Sequence, residues 1–174
     1  MDSPTDTLPG SLEAGRHISA LYQAHALALV KLAVLMTGDQ PTAEDVVQDA
    51  FLGLYRRWHS LHDADKALGY LRSSVLNGCR SVHRVRFRRQ AVTLDPPEDV
   101  SSAEADAMLS EAHREVLAAL RRLPPRQREA VVLRYYLDMT EDQTAQAMGV
   151  ARGTVKSATS RGLAALARML KENQ

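Results

Sequence analysis

Residues 140–162 read TEDQTAQAMGVARGTVKSATSRG, and the fold class turns on them. Thr140 followed three positions later by Gln143 is a capping box, in which a hydroxyl and a carboxamide satisfy the first free amides of a helix. A short helix therefore starts near Glu141. Ala145 is small where a second helix must cross closely. Gly149 supplies the tight turn, because a residue without Cβ enters the left-handed region at no steric cost. Val150 is apolar, and Val155 falls where the next helix needs an inward anchor. Cap, small residue, turn and anchor at this spacing predict a helix-turn-helix. On its second helix Val155, Ala158, Gly162, Leu166 and Met169 share the inner face, while Lys156, Ser157, Ser160 and Arg161 point outward. Long donors and small hydroxyls at the start of such a helix suit the major groove of DNA. The alternative is a helical hairpin that packs and binds nothing.

Outward from this segment, strand signals are scarce and helical periodicity recurs, so the fold is expected to be all-α. A first helix is expected over about 16–36, with Leu21, Leu27, Ala28, Leu32 and Leu35 on one face. A second is expected from a Thr42 cap, backed by Asp45, to about Trp58, and a long third from about Lys66 to Arg88. Further helices are expected near 105–122, 126–137, 141–148 and 152–171. Residues 1–15 have the composition of a disordered leader, and 91–107, with Pro96-Pro97 and Ser101-Ser102, that of a linker. Two small helical domains, 16–90 and 108–174, remain, each with a modest core.

The charge follows the same division. Over all 174 residues, 22 Lys and Arg meet 21 Asp and Glu, a formal net charge of +1. That average argues against a polyanionic partner; its distribution argues the reverse. Residues 16–90 and 112–174 each hold 11 bases and six acids, whereas 91–111 hold six acids and no base. Two basic lobes are joined by an acidic strap. Cys79 is the sole cysteine, which excludes an internal disulfide and a cysteine-cluster zinc site. The start lacks a basic n-region, and the apolar stretch Ala24–Met36 is short and interrupted by Lys31. A cytoplasmic protein without membrane insertion is the expectation.

Two more helical faces ask for partners. In the second helix Val47, Phe51, Leu54 and Trp58 form a core face; opposite lie Asp45, Gln48, Asp49, Leu52 and Arg56. An exposed leucine among acids is either a solvated face with one stray apolar group or a protein-binding face. In the third helix Leu68, Leu71, Val75, Gly78, Val82 and Val85 share one side, and Asn77, Arg80, Ser81, Arg84 and Arg88 the other. Five of the ten residues from Arg80 to Arg89 are arginine. Guanidinium groups grip phosphates and stack on bases, so a nucleic-acid surface is favoured over a solvated basic helix end. Catalysis and metal binding find little support. The six histidines are scattered, no glycine loop suits a phosphate, and His59, His62, Asp63 and Asp65 lack ligand-like spacing. No cofactor is expected.

Several runs together resemble a known family. Ala43-Glu44-Asp45-Val46-Val47-Gln48-Asp49-Ala50-Phe51-Leu52 looks like the core-binding segment of bacterial sigma-70-type sigma factors. Tyr70-Leu71-Arg72 through Asn77 to the arginine-rich end looks like their promoter-melting, −10-reading helix. Leu123-Pro124-Pro125-Arg126-Gln127-Arg128-Glu129 and Gly149-Val150-Ala151-Arg152-Gly153-Thr154-Val155-Lys156-Ser157 are similar to their fourth-domain helices. With domains 2 and 4 alone, the chain resembles the extracytoplasmic function (ECF) group.

The resemblance implies a sigma subunit that catalyses nothing. It implies that Asp45, Gln48, Asp49 and Leu52 meet the β′ clamp helices of RNA polymerase core. Asn77, Arg80, Arg84, Arg88 and Arg89 would take the melted −10 strand, and Arg152, Thr154, Lys156, Ser157, Ser160 and Arg161 the −35 duplex. Domain 4 would dock on the β flap, the acidic strap would follow the RNA exit path, and an anti-sigma protein is a common further partner. Some positions depart from the pattern: Thr144 stands in a usually apolar slot, Tyr70 where Trp is frequent, Gly78 inside the −10-reading helix, and Ala158-Thr159 where Arg-Leu is common. Two rivals are a helix-turn-helix regulator that never joins polymerase and an all-α enzyme using the scattered His and Asp.

Overall fold

The computed structural model describes residues 9–61, 63–93 and 111–172. Among these residues the chain is helical throughout: α1 Pro9–Thr37, α2 Gln40–Leu61, α3 Ala64–Thr93, α4 Glu111–Arg122, α5 Pro125–Tyr135, α6 Glu141–Met148 and α7 Arg152–Glu172. The first three helices pack together as one lobe and the last four as a second. His62 and most of the acidic strap, including Asp95, Glu98, Asp99, Glu104 and Asp106, lie outside the described residues.

Helix starts differ from the expected ones for local reasons. α1 begins at Pro9, so the stretch from there to Gly15, expected as leader, is helical, and Ala14 within it is buried. Proline suits the first turn of a helix, where its missing amide costs nothing. α2 is capped by Asp39 rather than Thr42: the Asp39 carboxylate accepts from the Thr42 amide at 3.0 Å. Asp63 does the same for α3, accepting from the Asp65 amide at 3.0 Å. Both are aspartates one residue before the helix, where a short acceptor reaches back to free amides.

The phase of α1 also differs. Leu27 is 68% exposed, and the inner face is Ala26, Leu29, Leu32, Ala33 and Met36. A helix apolar nearly all round carries little phase information, and the small Ala26 and Ala33 decide which side can approach its neighbours. By length and composition Leu12–Thr37 could cross a bilayer, unlike the shorter stretch weighed above. Here its inner face packs on α2 and α3 instead.

The inner face of α2 is as expected, and that of α3 is so in part: Val85, expected inward, is 40% exposed along the open groove between α2 and α3, and Leu76, outside the expected face, is fully buried. Val47, Phe51 and Leu54 of α2 are buried, as are Leu71, Val75 and Cys79 of α3, and burial pushes the Cys79 thiol up to about 12. Gly78 has a steric reason: a Cβ there would come within 2.7 Å of Val46 Cγ1, a stiff branched group on α2. Gly162 plays the same part between α7 and α5, where a Cβ would meet Val131 Cγ2 at 2.7 Å and the Gln127 carbonyl at 3.2 Å. Buried apolar side chains run continuously from the first lobe into the second, with α1 against α4 and α5 and α3 against α6.

Candidate functional site

The helix-turn-helix is built from local interactions. The Thr140 hydroxyl accepts from the Gln143 amide at 3.2 Å, and the Gln143 side chain accepts from the Thr140 amide at 2.9 Å, closing the capping box. Gly149 ends α6 with φ 65° and ψ 37°, its amide donating to the Gln146 carbonyl at 3.2 Å. Val155 is fully buried, and Ala158, Gly162 and Ala165 continue its face. α7 is therefore held rigidly by one side along α5 and α6.

Thr144 is fully buried, and its hydroxyl has no hydrogen-bond partner among the described residues. A buried hydroxyl without a partner keeps its full desolvation cost. Thr144→Val, which exchanges that hydroxyl for a methyl of similar size, should stabilise the second lobe by about 1 kcal/mol. Thermal melts of the two proteins check this, and an unchanged or lower midpoint for the valine form would contradict it.

The opposite face of α7 is open. Arg152, Thr154, Lys156, Ser157, Ser160 and Arg161 are all exposed near its N-terminal half. Arg152 pairs with Glu141 at 3.0 Å and with Asp142 at 3.6 Å. That link raises the Arg152 pKa and lowers that of Glu141, in each case mainly through the hydrogen bond between them. Arg161 lies back along the helix, donating to the Ser157 carbonyl at 3.2 Å. Lys156 stands between these two arginines as an exposed cation.

In the first lobe Asp45, Gln48, Asp49 and Leu52 form one exposed stripe of α2, and Leu52 is 53% exposed. Beside it an open groove of about 670 Å³ runs between α2 and α3, with Asp49, Tyr70, Ser74, Gly78, Arg86 and Arg89 on its walls. The five −10 candidates all lie on α3, although not in one environment. Arg84, Arg88 and Arg89 are exposed toward its C-terminal end. Arg80 is engaged: its Nη1 donates to Asn77 Oδ1 at 2.9 Å, its Nη2 to the Met148 carbonyl at 3.0 Å, and both Nε and Nη2 reach the Glu129 carboxylate.

Sequence reasoning assigned no role to two neighbouring residues of α5, Arg128 and Glu129, both buried. Burial pulls the Arg128 guanidinium below its usual value, helped by nearby Arg121. Burial likewise pushes Glu129 above the ordinary carboxylate range, with Arg80 offsetting part of that rise. Arg128 donates to the Met36 carbonyl at 2.8 Å and to the Leu123 carbonyl at 3.1 Å. His83 Nε2 shares the Met36 carbonyl at 2.7 Å, and burial lowers the His83 pKa, so the neutral ring is favoured there. The signal available in the sequence was two adjacent charges followed directly by Ala130-Val131-Val132-Leu133 on a short helix.

With this geometry in place, comparison with known proteins is informative. The family model for sigma-70 region 2 matches residues 21–91, and that for sigma-70 region 4 matches 113–166. The RNA polymerase sigma-E factor of Streptomyces coelicolor is 36% identical over 140 residues, covering 80% of this chain and 77% of that protein. The ECF RNA polymerase sigma factor SigM of Mycobacterium tuberculosis is 36% identical over 150 residues, covering 86% and 75%. Among solved structures, the sigma factor RpoE in complex with the anti-sigma factor NepR from Bartonella quintana shares the fold with a TM-score of 0.68 at 24% identity, covering 89% of this chain and 99% of that one. CnrH in complex with the cytosolic domain of CnrY does so with a TM-score of 0.69 at 22% identity, covering 94% and 98%. The exposed face of the helix-turn-helix and the arginine-rich α3 thus sit in a chain that belongs to the sigma-70 family, in the ECF group of RNA polymerase sigma factors, and serves promoter-specific initiation of transcription.

Proposed function

We propose how that work is divided along the chain. Residues 16–90 act as sigma domain 2 and residues 108–174 as sigma domain 4, with 91–107 as the acidic linker between them. The protein works in the cytoplasm by binding and catalyses nothing: it joins RNA polymerase core, positions −35 DNA as duplex and holds the melted −10 strand. Asp45, Gln48, Asp49 and Leu52 contact the β′ clamp helices, and the second lobe docks on the β flap. Asn77, Arg80, Arg84, Arg88 and Arg89 take the −10 strand, where arginine forks match phosphate oxygens and unstacked bases. Arg152, Thr154, Lys156, Ser157, Ser160 and Arg161 take the −35 element. An anti-sigma protein is a further partner, as it is for RpoE of Bartonella quintana.

The observation that carries this division is the open outer face of α7, a rigidly seated helix presenting Lys156, Ser160 and Arg161 to solvent at its N-terminal half. Such a face matches a helix that docks by its first turns into a major groove. Run-off transcription with purified protein, core polymerase and a genomic fragment library tests the reading. Discrete transcripts that require the protein are expected; a protein that binds DNA fragments yet forms no complex with core would overturn it in favour of a free-standing regulator.

A further inference from the structure

The chain is rich in arginine and poor in lysine: of its 22 Lys and Arg, only Lys31, Lys66, Lys156 and Lys171 are lysine. The proposed DNA contacts share that bias. Their cations are Arg80, Arg84, Arg88, Arg89, Arg152 and Arg161, with Lys156 as the single lysine. The difference is chemical as well as geometric, because a guanidinium stays protonated in proteins whereas an ammonium can lose its proton and become a nucleophile. Lys156 is thus the one cation of these sets that acylation can turn into a neutral amide.

Its surroundings favour an anionic acyl donor. Lys156 is exposed on the outer face of α7, and among the described residues no hydrogen bond or ion pair engages its Nζ. The Glu141 carboxyl is held low mainly by its hydrogen bond to Arg152, with the charges of Lys156 and Arg134 adding to it, so these cations gather around one carboxylate. Arg161 bends back along α7 to the Ser157 carbonyl at 3.2 Å. Arg134, Arg152, Lys156 and Arg161 together outnumber Glu141 and Asp142, the two acids paired with Arg152. A surface of this charge suits the phosphates of DNA, and it draws a small phosphate-bearing molecule for the same reason. The other lysines lack the setting. Lys66 follows Asp63 and Asp65 at the start of α3, Lys31 has Leu27 and Leu35 at the neighbouring turns of α1, and Lys171 is followed by Glu172.

We propose that Lys156 is an acylation site for acyl phosphates, and that its acylation withdraws the outer face of α7 from DNA. The site stands on the charge arrangement around α7; its effect rests on the proposed placing of Lys156 at the −35 element. In the step, the lone pair of the deprotonated Nζ attacks the acyl carbon, a C–N bond forms, and the C–O bond to the phosphate breaks with its electrons. Inorganic phosphate leaves, a proton passes from Nζ to solvent, and nothing is oxidised or reduced. The arginines of α3 are untouched by this chemistry, so the change falls on duplex binding alone.

The test incubates the full chain with acetyl phosphate and follows each lysine over time by peptide mass spectrometry. Lys156 should react about tenfold faster than Lys31, Lys66 or Lys171, as expected where a cationic surface concentrates an anion. Added inorganic phosphate competes for the same surface, so it should slow Lys156 and leave the other three unchanged. The acetylated chain should bind a fluorescein-labelled mixed-sequence duplex about tenfold more weakly at low salt, with a salt dependence shallower by about one counterion. Lys156→Arg, whatever its starting affinity, should keep that affinity through the same treatment. Co-migration with core polymerase should be the same before and after acetylation.

Equal rates at the four lysines, or a Lys156 rate that inorganic phosphate does not slow, overturn the assignment of the site. A Lys156-acetylated chain that binds the duplex as tightly as the untreated one overturns its effect on DNA. So does a treated Lys156→Arg protein that weakens as much as the wild type. Failure of the untreated chain to bind core or duplex would count against the proposed function, while the acetylation rates would still decide the site.

Discussion

Asp49→Arg combined with Leu52→Glu should abolish the stable complex with core polymerase and leave the fold intact. Both positions lie on the exposed stripe of α2, and Leu52 at 53% exposure makes no contribution to the buried cluster. The opposite face, with Val47, Phe51 and Leu54, is untouched by the change. An interface built on a leucine ringed by polar groups concentrates its energy there, and losing two central contacts costs on the order of 4 kcal/mol. That corresponds to roughly a thousandfold weaker complex. Reversing the charge at Asp49 adds repulsion toward any basic surface that had matched it. Co-migration with core on a sizing column measures the loss, and a thermal melt within about 2 °C of wild type shows the fold retained. A complex that survives the double change places core contact on another face.

How much of this was legible in the sequence depended on whether the deciding contacts were local. The helix-turn-helix was legible in full, because Thr140 and Gln143 cap the same turn and Gly149 and Val155 act within one hairpin. The buried side of α2 was legible from period alone. The phase of α1 was not, since Leu27 and Leu29 are equally apolar and packing against α2 and α3 makes the choice. Thr42 looked like a cap because Asp45 follows it three residues later, yet Asp39, three residues earlier, is charged and already sits outside the helix. Gly78 looked like a departure from the family pattern until Val46 was found against it. The contact between lobes was hidden altogether. Arg80 and Glu129 are 49 residues apart, and no helical periodicity in either segment points to the other.

Within the proposed −10 set this matters, because residues on one helix face are not equivalent. Arg84 and Arg88 face solvent, so their removal should act on DNA binding alone. Arg80 differs, because the proposed −10 role would compete for nitrogens already held by Glu129, and its removal would also strand the Glu129 carboxylate in a buried site. A scan of Arg80, Arg84 and Arg88 therefore separates two positions that affect only DNA from one that affects stability as well, and Arg86, outside that set, donates to the Thr37 carbonyl at 2.7 Å and would also affect stability.

Lys156→Ala with Arg161→Ala should reduce −35-dependent transcription by about a hundredfold and leave core binding unchanged. Each lost side chain removes a charge-assisted contact worth about 1–3 kcal/mol if it reaches a base edge. If both reach phosphates instead, the loss is spread evenly over promoters and the dependence of binding on salt weakens by about two counterions. The two cases are separable by measuring binding to a cognate fragment and to a scrambled −35 fragment at several salt concentrations. Lys156 is exposed, whereas Arg161 is folded back on Ser157 through its carbonyl and hydroxyl. Arg161 must break those contacts to extend into a groove, so Lys156 alone should carry the larger share. Arg152 differs again: its pairing with Glu141 and Asp142 shields two carboxylates that would otherwise face DNA. Arg152→Ala should therefore weaken binding more at low salt than at high, because the exposed acids repel phosphate over a range that salt shortens. Core binding is measured beside each DNA titration. Equal loss of both in the Lys156 and Arg161 variant would mark it as misfolded and remove its bearing on the −35 face.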